Sequence, residues 1–425
     1  MRFKWNSKYS QLSKFQYPAI LHKNTRPFHT SKSDLSIVSA QRASDWHCEL
    51  REKALTITSA NEILTFHYVW LRDHCRCPLC FNAVTNQRQL DTHTIELSIK
   101  PKHVSFTTDS LQVTWPDDHV SLYAFDWLSN SQYGQPYSSF LVKGSERIFW
   151  GSSLAEKLPE MESFESVLEN EPSLLKVCDN ISKYGFALVK DTPTTEAAMG
   201  DLGDALGGVK DSMFGKTWEV TVVSDSSEEL DHADMAYMNV ALHGHTDGTY
   251  FLDQPRLQLF HCHQHTGTGG QTLLVDAIGA AEKLKRVNRE AFDFLANTHI
   301  PAKYLEPGQN FRCLGPMIKV DPYSNEVYHV RINGDDRDVL SCLRFDEVEL
   351  FYTHLHAYTS ILRDKSSELW FKLTPGTALI VNNWRVLHGR AAFTGTRSLG
   401  GCYVGHDEHT SKHRVLINKH RGEDV

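Results

Sequence analysis

Apolar and polar positions change rhythm along the chain. Residues 34–123 carry short apolar runs rich in β-branched and aromatic residues, some alternating with polar ones. "KALTITS", "EILTFHYVWLRDH", "THTIELSIK" and "SLQVTW" predict strands, and "WPDDH" closes the last hairpin. They make a small N-terminal β domain. Residues 124–160, with the turn-rich "SNSQYGQPYSS", read as a linker. From 161 the rhythm becomes helical in "FESVLENEPSLLKVCDNISKY" and leads into the buried-strand candidate "YGFALVK". Further strands are predicted at "LQLFHCHQ", "TLLVDA", "PMIKVDP", "VYHVRING", "TALIVNN" and "GCYVGHD". The helical segments "AAEKLKRVNREAFDFLANT" and "RFDEVELFYTHLHAYTSILRD" interrupt them. Many short strands with inserted helices predict a mainly β fold. We expect an antiparallel double-sheet jelly roll over 161–412 and a C-terminal tail at 413–425. No apolar run reaches 18 residues, so no membrane partner is expected.

Charge sets the first 33 residues apart. They hold seven Lys or Arg and no acid, are rich in Ser and aromatics, and end in "RPFHTS". That composition predicts a mitochondrial transit peptide over 1–33, and the mitochondrial matrix as the site of action. Without this segment the formal net charge moves from −8 to about −15. No dense basic cluster follows it, which argues against a nucleic-acid partner.

Nine cysteines, an odd and mostly scattered set, do not form a disulfide framework and fit a reducing compartment. Three crowd into "RDHCRCPLC" as Cys75, Cys77 and Cys80. A structural zinc ion needs a fourth ligand, and His119 in "WPDDH" is the candidate. His74 is adjacent to Cys75 and would have to bend sharply to join the same ion. In so small a β domain a closed metal site adds stability that a thin core lacks.

A second constellation is "HGHTDGTYF". In a strand, residues two apart share a face, so His245 and Asp247 present an imidazole and a carboxylate together. A third ligand is expected from another strand, and His388, after "TALIVNN", is the candidate. His243 would crowd one edge and is read as a bystander. Two His and one carboxylate leave three metal positions open, an arrangement suited to non-haem Fe(II), a cosubstrate and O2. Arg397 can form a bidentate pair with a dicarboxylate. Thr272 follows a Gly pair that allows close approach to a ligand and can donate to the same carboxylate. With the triad they describe a 2-oxoglutarate site.

In combination, "HTD", "GTGGQTLLVD", "NNWRVLHGRAAFTGTR", "GGCY", "WLRDHCRCPLC" and "WPDDH" resemble the 2-oxoglutarate-dependent dioxygenases of carnitine biosynthesis, the trimethyllysine and γ-butyrobetaine dioxygenases. The resemblance runs from about residue 50 to 408. It implies a double-stranded β-helix (jelly-roll) core, with His245, Asp247 and His388 on iron. It also implies Thr272 and Arg397 on the distal carboxylate of 2-oxoglutarate, and Cys75, Cys77, Cys80 and His119 on zinc. Ascorbate as reductant and a homodimer are implied in the same way. The family's trimethylammonium cage matches Phe214, Trp218, Tyr237 and Tyr403. Phe214 stands where Tyr is usual; it keeps the π face and loses the hydroxyl.

The other end of the substrate separates the two activities. Trimethyllysine carries an α-ammonium and a carboxylate; γ-butyrobetaine carries only the carboxylate. Asp234 falls where the butyrobetaine enzymes resemble one another in having Asn, and an acid there suits the ammonium. Asn333 is the candidate for the carboxylate. The expected reaction is therefore C3 hydroxylation of N6,N6,N6-trimethyl-L-lysine, with succinate and CO2 released. The alternatives are γ-butyrobetaine hydroxylation, a non-catalytic jelly roll binding quaternary amines, and an interaction protein centred on the zinc module.

Overall fold

The structure, a computed structural model, describes residues 46–134, 146–223 and 235–422. The basic segment 1–33 and Asp234 lie outside the described residues. The chain divides into two compact units, residues 1–135 and 136–425.

In the first unit, one three-stranded sheet comprises His47–Leu50, Ala54–Thr58 and Ile63–His67. A second comprises His103–Phe106, Ser110–Thr114 and Val120–Ala124. Alternation selects the inward face: Leu64 and Phe66 are buried while Ile63, Thr65 and His67 are exposed. With Leu55, Ile57, Leu111, Val113, Trp115 and Tyr123 they form one core. The buried Trp115 indole donates to the Ser121 hydroxyl at 2.8 Å. "EILTFHYVWLRDH" is extended only to His67; Tyr68–Asp73 is a helix, because Tyr68 and Leu71, three apart, both reach the core. "THTIELSIK" is not a strand. It holds the short 3-10 turn Thr92–Thr94, where the Asp91 side chain caps the His93 N–H. In the stretch read as a linker, helix Phe125–Asn130 packs Phe125 and Leu128 into the same core.

The second unit is built on two sheets. The larger runs in the order Thr217–Val223, Thr396–Val404, Leu257–His265, Ala378–Asn382, Phe186–Lys190, Glu162–Ser163. The smaller runs Leu242–His245, Val386–Arg390, Thr272–Asp276, Glu368–Phe371. Period two assigns their faces. Phe186, Leu188, Leu379 and Val381 of the larger sheet meet Leu274, Leu369 and Val386 of the smaller one in a shared core. Ala187, Val189, Ala378 and Ile380 point the other way, onto helices Glu171–Tyr184, Glu196–Ala205 and His406–Arg421. Leu273, Val275 and Leu387 likewise face helices Ala277–Val287, Arg289–Asn297 and Phe345–Leu362. This is the double-sheet arrangement expected from the strand pattern.

Two long helical stretches are each broken in two by a local signal. Asn288 caps the Ala291 N–H at 3.0 Å and starts the second helix of one pair. Pro172 at the first turn of Glu171–Tyr184 does so in the other. The boundary drawn at 412 falls inside helix His406–Arg421, which buries His413 and Leu416 and is no loose tail. The hairpin Ile300–Glu306/Gln309–Gly315 was not read from the sequence.

Candidate active site and metal centres

His245 and His388 are register partners on adjacent antiparallel strands. Their side chains therefore rise from the same face, with ring centroids 4.5 Å apart. The strand ends at His245, so Asp247 does not extend it. It lies in the turn that follows, where Gly248 takes φ +69°. Asn383 fixes that turn from both sides: the Asp247 N–H donates to Asn383 Oδ1 at 2.8 Å, and Asn383 Nδ2 donates to the Asp247 carbonyl at 3.0 Å. Asp247 Oδ1 then stands 3.1 Å from His245 Nε2 and 3.5 Å from His388 Nε2. Ligands about 2.1 Å from one ion and at right angles to it lie about 3 Å apart, so this donor set fits a single octahedral ion with open positions.

The surroundings prepare each ligand. His245 Nδ1 donates to the His243 carbonyl at 2.7 Å, which leaves Nε2 for an ion. His243 thus contributes its backbone to the site. Burial alone would hold His245 neutral; the hydrogen bond and charge of Asp247 outweigh it and raise the imidazole pKa to about 9. Burial alone would raise the Asp247 carboxyl. The charge of His388 and the hydrogen bond from His245 outweigh it and hold the carboxyl well below its usual range. A bound cation would take over the role of that imidazolium proton.

The triad opens into a cavity of about 550 Å³. Its walls include Thr272, Arg397, Phe214, Trp218, Tyr237, Asn333 and Tyr403, so every described site residue of the second unit converges there. Arg397 is buried, with no ion-pair partner among the described residues, and burial lowers its pKa. The ring of Phe393 lies 5.8 Å from its guanidinium carbon. A buried guanidinium without a carboxylate is a site for an anion. Thr272 is buried beside the cavity. The glycine pair before it serves the fold: Gly269 and Gly270 take φ +75° and +65°, and a Cβ on Gly269 would come 2.1 Å from the Ala392 carbonyl.

The rings of Trp218 and Tyr403 lie 6.2 Å apart with their planes tilted by 48°, and Phe214 stands edge-on to Tyr304 at 6.0 Å. Gly401 makes this possible, since a Cβ there would come 2.3 Å from the Trp218 ring. Tyr237 closes the turn Met235–Tyr237, whose Ala236 carbonyl receives Arg390 at 3.1 Å. Several of these residues were missed in the sequence: Gln258, Asn383, Arg390, Asp335 and Asp336. A signal existed for Gln258, a polar residue between Leu257 and Leu259, which both face the helices.

In the first unit, His119 Nε2 lies 3.3, 3.5 and 3.5 Å from the sulfurs of Cys75, Cys77 and Cys80. Tetrahedral edges of roughly 3.5 Å follow from Zn–S near 2.3 Å and Zn–N near 2.0 Å. The hairpin that carries His119 turns at Asp118, φ +62°. His74 points elsewhere, with Nδ1 on the Trp70 carbonyl at 2.8 Å and Nε2 against Arg88 at 2.7 Å. All nine cysteines are free.

Comparison with known proteins agrees with this geometry. Residues 158–403 match the model of the taurine catabolism dioxygenase TauD, TfdA family. Residues 47–129 match that of the γ-butyrobetaine hydroxylase-like N-terminal domain. The chain is 38% identical to mouse trimethyllysine dioxygenase over 378 residues, 87% of each chain. It is 35% identical to the human trimethyllysine dioxygenase over 415 residues, 94% of each. It is 29% identical to human γ-butyrobetaine dioxygenase over 360 residues, 82% of this chain and 90% of that one. The chain belongs to the TauD/TfdA dioxygenase family, in the group of the trimethyllysine dioxygenases.

Proposed function

We propose that the protein is an Fe(II)- and 2-oxoglutarate-dependent dioxygenase that hydroxylates C3 of N6,N6,N6-trimethyl-L-lysine. The observation that carries the reading is one cavity holding a two-His, one-carboxylate donor set, a buried Arg397 with no ion-pair partner among the described residues, and a group of aromatic rings. Iron, when bound, supplies the activation of O2 coupled to decarboxylation of 2-oxoglutarate to succinate. His245, Asp247 and His388 hold it. Arg397 and Thr272 bind the distal carboxylate of 2-oxoglutarate and so orient its other end toward the metal.

Trp218, Tyr237, Tyr403 and Phe214 receive the trimethylammonium group, which has no N–H to donate and is attracted by π faces. Asn333 meets the substrate carboxylate and Asp234 the α-ammonium. γ-Butyrobetaine ends in a bare carboxylate, and Asp335 and Asp336 in the cavity wall disfavour it. Zinc on Cys75, Cys77, Cys80 and His119 uses all four positions and stabilises the N-terminal unit. Removal of residues 1–33 in the mitochondrial matrix, ascorbate as reductant and a homodimer complete the proposal. Its direct test is His388→Ala, which should form no succinate with trimethyllysine. Turnover at the rate of the unaltered protein would remove His388 from the metal.

A further inference from the structure

We propose that Asp336 receives the α-ammonium of the substrate and selects an amino acid over a simple trimethylammonium acid. The inference rests on trimethyllysine being the substrate and adds a residue that the sequence motifs do not single out. In trimethyllysine the reacting C3 is bonded to Cα, so the α-nitrogen is only two bonds, about 2.5 Å, away. The trimethylammonium nitrogen is four bonds away on the other side. A carboxylate that reads the α-ammonium must therefore stand beside the metal triad, whereas the cage stands farther off.

Asp336 stands there. Residues 331–336 are fastened to the turn that carries the metal carboxylate. The Thr246 N–H donates to the Ile332 carbonyl at 2.8 Å, and the Ile332 N–H donates back to Thr246 Oγ1 at 3.1 Å. Arg331 Nε donates to the Thr249 carbonyl at 2.8 Å. Finally, the Thr249 hydroxyl, two residues past Asp247, donates to Asp336 Oδ2 at 2.8 Å. These bonds index the Asp336 carboxylate to Asp247.

Asp336 lines the substrate cavity with Asn333 and Asp335. Asn333 Oδ1 accepts the Asp335 N–H at 2.9 Å, which shapes this end of the wall. Lys303, the lysine of the same wall, pairs with Asp338 at 2.7 Å. An ammonium has three N–H groups, one of which Asp336 can accept.

The test compares trimethyllysine with 6-(trimethylammonio)hexanoate, which keeps the cage group, C3 and the carboxylate but lacks the amine. Anaerobic calorimetry with iron and 2-oxoglutarate present gives Kd for both ligands in the unaltered protein, Asp336→Asn and Asp336→Glu. We expect Asp336→Asn to weaken trimethyllysine about tenfold or more and not to weaken the hexanoate, whose bare carboxylate the acid disfavours, with Asp336→Glu recovering part of the trimethyllysine loss. Retained hexanoate binding also shows that the variant is folded. Equal weakening of both ligands, or of neither, overturns the assignment. If the unaltered protein binds the hexanoate as tightly as trimethyllysine, the ammonium is not read and the assignment fails. If it binds neither ligand, the substrate reading itself fails first.

Discussion

Gln258 and Tyr403 are register partners on adjacent strands, and both donate to the same oxygen, Oδ2 of Asp247, at 2.5 and 3.0 Å. They leave Oδ1 as the oxygen turned to the two imidazoles. Partners of this kind typically contribute 10- to 100-fold to metal affinity. Tyr403→Phe keeps the ring and removes the donor. It should lower Fe(II) affinity by about tenfold, while the trimethyllysine KM at saturating iron changes much less. Anaerobic metal titration checks the first and steady-state kinetics the second. A large rise in KM with unchanged metal affinity would make Tyr403 a cage residue alone.

Arg397 is buried in the cavity wall, with no carboxylate of its own among the described residues. Its replacement by Ala should raise the 2-oxoglutarate KM about 100-fold, the scale of losing one partner of a buried charge pair. The trimethyllysine KM should move far less. Lys keeps the charge but not the planar fork, so Arg397→Lys should fall between the two. Equal effects on both substrates would mean that Arg397 supports the fold.

The cysteine site makes an independent prediction. His119 Nε2 already stands at the distances from the three sulfurs that a tetrahedral zinc requires, and all four donor atoms lie within 4.8 Å of one another. Elemental analysis should find zinc retained after a chelation that strips iron and activity. His119→Ala should lose the zinc and unfold the N-terminal unit at a lower temperature. Loss of zinc and iron together under mild chelation would contradict a closed site.

The larger pattern was legible because it depends on nearest neighbours in sequence. Period-two strands and helical runs marked Phe186–Lys190, Leu257–His265, Thr272–Asp276, Ala378–Asn382 and Thr396–Val404 and most of the helices packed on them, but not the sheet strands Thr217–Val223, Glu368–Phe371 and Val386–Arg390; "HTD", "LHG" and "GTR" marked the triad residues and Arg397. What escaped depends on neighbours in space. Asn383 and Asp336 are ordinary polar residues until the chain returns to residues 245–249. Arg385 is similar: it forms a buried pair with Asp276 at 2.8 Å that joins the "NNWR" and "TLLVD" segments. Nothing local distinguishes it from a ligand-binding arginine. The reading of "EILTFHYVWLRDH" as one strand failed because a continuous apolar run fits either a strand or a buried helix.

His409 gives a pH prediction. It is buried, its Nδ1 donates to the Leu206 carbonyl at 3.1 Å, and burial pushes its pKa down to about 3. The unfolded chain takes this proton near pH 6.5. The stability from keeping the ring neutral is thus complete above about 6.5 and is lost as pH falls toward 3. His261, lowered to about 4 mainly by burial, acts in the same direction. Thermal unfolding between pH 7 and 4 should show a smaller loss of Tm for His409→Gln than for the unaltered protein. An equal loss would mean that other groups govern acid sensitivity.

The most direct test offers trimethyllysine and γ-butyrobetaine in parallel, aerobically, with Fe(II) and 2-oxoglutarate, and reads products by mass spectrometry. Trimethyllysine should gain one oxygen, at C3, with one succinate per product and little hydroxylated butyrobetaine. Preferential hydroxylation of γ-butyrobetaine, or succinate formation without any hydroxylated trimethyllysine, would contradict this assignment.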